Sequence, residues 1–330
     1  MSLGHDDEES SVSSVSTYDP KARDDGKLIK LTPQVSNILQ LIEQNSPDVT
    51  NLLVCADDDD DDDDEEYVEP SPFTREEWIR LGHAVGGNTT ITAFRFYACD
   101  SYYGDVDPIQ STEVRDAFCE GLARNRSIQQ LYSGGLDYTS GQIRIMSPFF
   151  VHNAHLIQVS FCDNALKSGD INLLTETIKE RGENVKTIRS FDYRCSSVGH
   201  SQGQISALVD LAKACTHLTS LGLTNFESAF DLSSYHIIAS YLASKHCMLK
   251  NLDLHGNRIE DDGCRVIAES LRINRRLRRL NMYPFGISSK GLDAFIPVVC
   301  DVSSIESTLN SNHTLEQVSK CDIAIIESPQ

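Results

Sequence analysis

The sequence predicts an α/β solenoid: a curved horseshoe of about nine units, with parallel strands on the concave face and helices on the convex face. Three observations carry this expectation. The run LKNLDLHGNRI, Leu249–Ile259, has the form LxxLxLxxNxI and recurs along the chain. Between the runs, apolar residues four apart precede an Asn that stands three residues ahead of the next run. At 330 residues and 40% apolar, the chain has the material for a long core.

The strand runs begin at Val49, Ile91, Ile128, Leu156, Ile188, Leu218, Leu249, Leu277 and Leu315. Their alternation is that of a half-buried strand. The intervening helices show as Leu81, Val85 and Asn88 before Ile91, and as Phe118, Leu122 and Asn125 before Ile128. The same layout recurs as Ile267, Leu271 and Asn274 before Leu277, and as Ile305, Leu309 and Asn312 before Leu315. Residues at i and i+4 share one helix face, and a lone unit cannot bury its apolar edge, so the units must stack. Thr74 followed by Glu77 reads as a capping box opening the first long helix.

Residues 1–30 read as a disordered, acidic, Ser-rich tail, and residues 31–330 as one repeat domain with an acidic insertion at about 56–70. That insertion holds Asp57, Asp58, Asp59, Asp60, Asp61, Asp62, Asp63, Asp64, Glu65 and Glu66. It accounts for half of the net charge of −20. Ten like charges in a row repel one another, so an extended loop is expected, one that would attract a partner with a basic surface.

In such strands the leucines point inward, and the residues between and beside them form a solvent-facing sheet. The candidate partner-binding residues of that face are Arg95, Tyr97, Tyr132, Asp192, Arg194, Asp253, His255, Arg279 and Tyr283. Tyr and Arg are enriched among interface hot spots, which singles them out in an otherwise polar surface. The Asn of the strand-to-helix turn is kept at Asn164 and Asn257 but replaced by Phe226 and Phe285, so those two turns are expected to be distorted. The segment RINRRLRRL, Arg272–Leu280, reads as a solvated helix-to-strand connection, with docking of an acidic partner as the rival reading.

From about Leu31 to Gln330 the chain resembles leucine-rich repeat proteins of the ribonuclease-inhibitor-like class, including the uncharacterised sets found in diatoms. The ending SSIESTLNSNHTLEQV is similar to the final repeat of those sets. The resemblance speaks for the fold, and the polar, Tyr- and Arg-bearing face makes a non-catalytic module that binds a partner protein through its concave face and loop rim the expected function. Two rival functions belong to other classes. A GTPase activator of this repeat type would carry arginines in its early loops, whereas CDSYYGDVD and SGGLDYTSG have none. A substrate-recognition subunit of a ubiquitin ligase would need an adaptor-binding helical motif, and residues 1–30 are too short and too polar to supply it.

Composition narrows the classes further. The acidic balance argues against nucleic-acid and anionic-membrane binding. No long apolar window and no hydrophobic N-terminal region occur, so a soluble monomer in the cytoplasm is expected, with the nucleus as the alternative. Ten cysteines show no zinc spacing and read as reduced, buried thiols. No phosphate-binding loop, HExxH, GxSxG or GxGxxG is present, so neither a cofactor, a metal nor a catalytic residue is expected.

Overall fold

The computed structural model describes residues 28–31, 36–55, 73–97, 108–136, 138–164, 166–182, 187–195, 202–226, 230–282 and 287–319. Ten strands form one parallel sheet in chain order. They are β1 (Leu28–Leu31), β2 (Asn51–Cys55), β3 (Ala93–Tyr97), β4 (Gln130–Gly134), β5 (Gln158–Cys162), β6 (Ser190–Arg194), β7 (Ser220–Thr224), β8 (Asn251–Asp253), β9 (Arg279–Asn281) and β10 (Gln317–Ser319). The helices between them are α1 (Ser36–Glu43), α2 (Arg75–Gly87), α3 (Thr112–Leu122), α4 (Ser140–His152), α5 (Ser168–Lys179), α6 (Gln202–Ala214), α7 (Leu232–Leu242) and α8 (Asp261–Leu271). Three short ones follow: α9 (Ser289–Asp293), α10 (Ile296–Val299) and α11 (Ile305–Leu309). Strands pair about 4.8 Å apart whereas helices pack about 8–10 Å apart, so the sheet takes the inner, concave side of the horseshoe.

Each of the nine runs read from the sequence enters a strand, β2 to β10, two residues after its first apolar position. The strand β1 adds a tenth. It pairs in register with β2, Ile29 opposite Leu52, although the place that Val49 fills in the next unit is Gly26 here. The inward column runs in register through Leu52, Phe94, Leu131, Val159, Phe191, Leu221, Leu252 and Leu280. All eight are buried. The acidic insertion lies between the end of β2 at Cys55 and the start of α2 at Arg75; its residues 57–66 and the tail 1–27 fall outside the described residues. At that helix start Thr74 and Glu77 form the reciprocal capping box, Thr74 N–H donating to Glu77 Oε2 at 2.8 Å.

The helix-to-strand turns are closed by buried asparagines. Asn125 donates its amide to the Val85 carbonyl at 2.8 Å and the Asn88 carbonyl at 2.9 Å, both in the preceding unit. Its own side-chain oxygen accepts the Ser127 and Ile128 N–H groups, each at 2.9 Å. Asn312 repeats the pattern on Leu271 and Asn274, and Asn88 and Asn274 make the matching bonds to Ile42 and Leu242. One amide thus satisfies helix C-terminal carbonyls that have no partner within their own helix. Asn88 and Asn312 also sit in glycosylation-like triplets, but both are buried with these bonds made.

Where Asn is missing, other residues reach the same carbonyls. Arg181 donates to Phe150 and Asn153, the equivalents of Val85 and Asn88, and to Thr187 Oγ1. The longer guanidinium arm suits a turn in which the next strand starts farther away. Cys215 and Cys247 fill the slots before β7 and β8, and burial pushes both thiols up, Cys215 to about 12.

Two expectations are corrected. The turn at Phe226 is not distorted: Asn225 before it has φ 61°, like Gly135, Asp163 and Gly256 at the same position in their units. The Phe226 N–H donates to Asn257 Oδ1 of the next unit at 2.9 Å, so the Asn is borrowed. Phe285 lies outside the described residues. Ile305 and Leu309 are not core residues; they are 83% and 74% exposed on α11. The helix slot of that unit is already filled by α9 and α10, which bury Phe295 and Val298, and α11 is an added turn that buries none of its own residues.

The helices α2 and α3 touch backbone to backbone. A Cβ on Gly86 would lie 2.0 Å from the Gly121 oxygen, and one on Gly121 would lie 2.3 Å from the Gly82 carbonyl carbon. Gly121→Ala is therefore expected to cost about 3 kcal/mol in urea unfolding, because the helices must separate. Asn125→Ala should lose about 2–4 kcal/mol in the same measurement, since buried carbonyls and N–H groups are left unpaired.

Candidate functional site

The concave face is built from two columns of outward side chains that the sheet register brings side by side. One reads Arg95, Tyr132, Ser160, Asp192, Gly222, Asp253, Asn281 across β3 to β9. The other reads Tyr97, Gly134, Cys162, Arg194, Thr224 across β3 to β7. All the candidate residues within the described part lie in these columns except His255, in the turn after β8, and Arg279, one position lower on β9. Tyr283 falls outside the described residues.

Arg95 is only 8% exposed and spends its guanidinium inside the sheet, on Asn51 Oδ1 and on Gln130 Oε1 at 3.3 Å. It therefore holds three strands together and is not a free contact residue. Asn51 was missed by the sequence reading; its position beside the first LxxL run was the available signal.

Next to it, the Tyr97 and Tyr132 rings lie 4.9 Å apart at 40°. Tyr97 has room because Gly134 lies beneath it: a Cβ there would fall 2.6 Å from the ring. Burial raises the Tyr132 hydroxyl well above its ordinary range, and the hydroxyl bonds to the side chains of Cys162 and Tyr97. The Cys162 thiol is in turn pushed up to about 12 by burial. Cys264 rises to about 12 for the same reason. Such cysteines are thiols at neutral pH, whereas nucleophiles and metal ligands are thiolates.

Arg194 follows Cys162 in its column and is half-buried. Its Nε is shielded from solvent and has no hydrogen-bond partner. The acids stand on the same strand and two strands on, Asp192 on β6 and Asp253 on β8. Asp192 leans over Gly222, where a Cβ would come within 2.5 Å of its Oδ1, and Asp253 stands on the far side of that glycine. Asp253 accepts the His255 backbone N–H at 2.9 Å and the Asn281 amide at 3.0 Å. Burial holds its pKa above the usual carboxylate range. Asp192 accepts the Ser190 hydroxyl at 3.2 Å, and burial, aided by the charge of Asp253, lifts it to about 7.

The site is thus a graded strip. An aromatic pair lies at one end, an arginine with an unspent donor near the middle, and two acids beside and beyond it, on either side of Gly222. Among the described residues no group of three or more His, Cys, Asp or Glu side chains could hold a metal ion. None of the described helices is long and apolar enough to cross a membrane.

Comparison with known proteins adds little beyond architecture. No family model matches the chain, and no curated protein does. Among solved structures, a Bacteroides fragilis protein from a structural-genomics programme is similar at 14% identity and a TM-score of 0.38. The likeness covers 69% of this chain and 72% of that one. At that level it assigns no function.

A carboxyl whose pKa rises on folding favours the folded state only while protonated, so Asp192 weakens the fold as pH climbs from about 4 to about 7. Asp192→Asn is expected to stabilise the protein at pH 8 by about 1–2 kcal/mol, a gain that shrinks toward zero by about pH 4. Urea titrations at the two pH values measure it.

Proposed function

We propose that this protein is a non-catalytic binding module that holds a partner protein against its concave face. The observation that carries this reading is the strip from Tyr97 to Asp253. Its aromatic pair is fixed by packing over Gly134, its arginine donor is unspent, and its acids stand on either side of Gly222, with Asp192 leaning over it. Rigid Tyr and Arg groups are the usual anchors of protein interfaces, since they offer large contact area at small entropic cost. The protonated thiols and the carboxyls tied into sheet hydrogen bonds supply no activated nucleophile and no aligned general base.

The partner engages the strip with side chains that reverse its order. An apolar or aromatic group meets Tyr97 and Tyr132, a carboxylate or carbonyl meets Arg194, and a lysine or arginine meets Asp192 and Asp253. The acidic loop joins β2 to α2 at the same end of the strands and acts as a steering element for the basic part of that partner.

Affinity purification from native cells with wild-type protein and a Tyr97→Ala, Arg194→Glu, Asp253→Lys variant tests this. A specific partner should be retained by the wild type and by variants of exposed convex-face residues such as Glu176, and lost at least tenfold from the triple variant. Equal capture by all of them, with unchanged melting temperatures, defeats the reading.

A further inference from the structure

The strip does not account for a second charged surface, on the rim where helices hand over to strands. In the turns at residues 123–129, 153–157, 180–182, 187–189, 215–219, 243–250, 272–278 and 310–316, ten lysines and arginines face two carboxylates, Glu180 and Glu316. A chain of net charge −20 therefore carries a basic edge.

Part of this is ordinary. Arg272 stands at a helix C-terminus and pairs with Glu269 three residues earlier, as the helix dipole favours, just as Lys179 and Lys213 within α5 and α6 pair with Glu176 and Asp210. Arg275 bonds the Asn310 carbonyl and Arg278 pairs with Glu316 at 3.4 Å. Arg189, Lys250, Arg276 and Arg279 are different. All four are exposed, lie beyond the helix ends, and have no carboxylate partner among the described residues.

These residues are neighbours in space. The row ahead of the strands is tied by backbone bonds, Thr219 N to Arg189 O at 2.8 Å, Lys250 N to Thr219 O at 2.7 Å and Arg278 N to Lys250 O at 2.8 Å. Arg276 lies in the same turn as Arg278, and Arg279 continues onto the concave face at β9. The row from β6 to β9 spans roughly 15 Å at about 4.8 Å per strand.

We propose that this edge is a second interaction surface, for a short acidic segment of a partner protein. An extended peptide presents same-face side chains about 6.6–7 Å apart, so two or three carboxylates match the length of the patch. A long polyanion or an anionic bilayer would run past it into the field of a chain that is acidic overall. A short segment stays within about one Debye length, roughly 8 Å, of the cations.

Fluorescence anisotropy of a labelled poly-glutamate peptide on the full chain tests the proposal. Binding should weaken as salt rises, and joint reversal of Arg189, Lys250, Arg276 and Arg279 to Glu should weaken it about tenfold or more at unchanged melting temperature. The concave-face triple variant should bind the peptide within about twofold of wild type, which separates this surface from the strip. The proposal is overturned if the reversal variant binds equally or the wild type does not bind. It is also overturned if oligothymidine or phosphatidylserine vesicles bind more tightly than the peptide. Salt-sensitive self-association that the reversal abolishes would overturn it in favour of a second copy as occupant.

Discussion

The structure depends on one constraint: every helix that ends against its neighbour leaves carbonyl oxygens buried between two units, and something must donate to them. In four turns the donor is an asparagine whose amide serves the unit before and whose oxygen closes its own turn. The side chain is short, so it fixes the separation of the helix end and the strand start to within a bond length. That fixes the strand register, and the register fixes which side chains stand in columns on the concave face. Arg181 shows that the requirement is for the donor and not for asparagine as such.

The apolar columns fill the space that this frame sets. Phe94, Phe96, Phe118 and Trp78 interlock through edge and tilted contacts near the start of the solenoid, and Tyr193, Phe226, Phe230 and Tyr235 do so farther along. Rings of this size favour offset and edge-on packing, so they also resist sliding of one unit on the next.

Most of the fold was legible because both halves of the unit write their period into the sequence. The LxxLxL alternation located β2 to β10, and the Asn three residues ahead located the turns. The strand β1 was not legible because glycine stands at its first anchor. The α11 pair was misread because a four-residue apolar spacing records that a helix has a face, not which way the face turns. The concave positions were legible by column, but not their state. That Arg95 is consumed by Asn51 and Gln130, while Arg194 has an unspent donor, depends on neighbours more than thirty residues away. The basic edge was legible only in part: the arginines of Arg272–Leu280 stand together in the sequence, whereas Arg189 and Lys250 join them only through the stacking of units.

The asparagine bonds all point the same way. Each reaches from a later unit to an earlier one, and Asn164 and Asn257 do likewise on the opposite rim, toward Ser133 and Leu223. The stack therefore has a grammatical direction: a unit leaving the ribosome finds its predecessor already presenting the carbonyls that its asparagine amide binds, although the Phe226 N–H waits for Asn257 of the next unit. Growth from the N-terminus satisfies each of these asparagine amides as it arrives, whereas growth from the other terminus would strand one amide at every step.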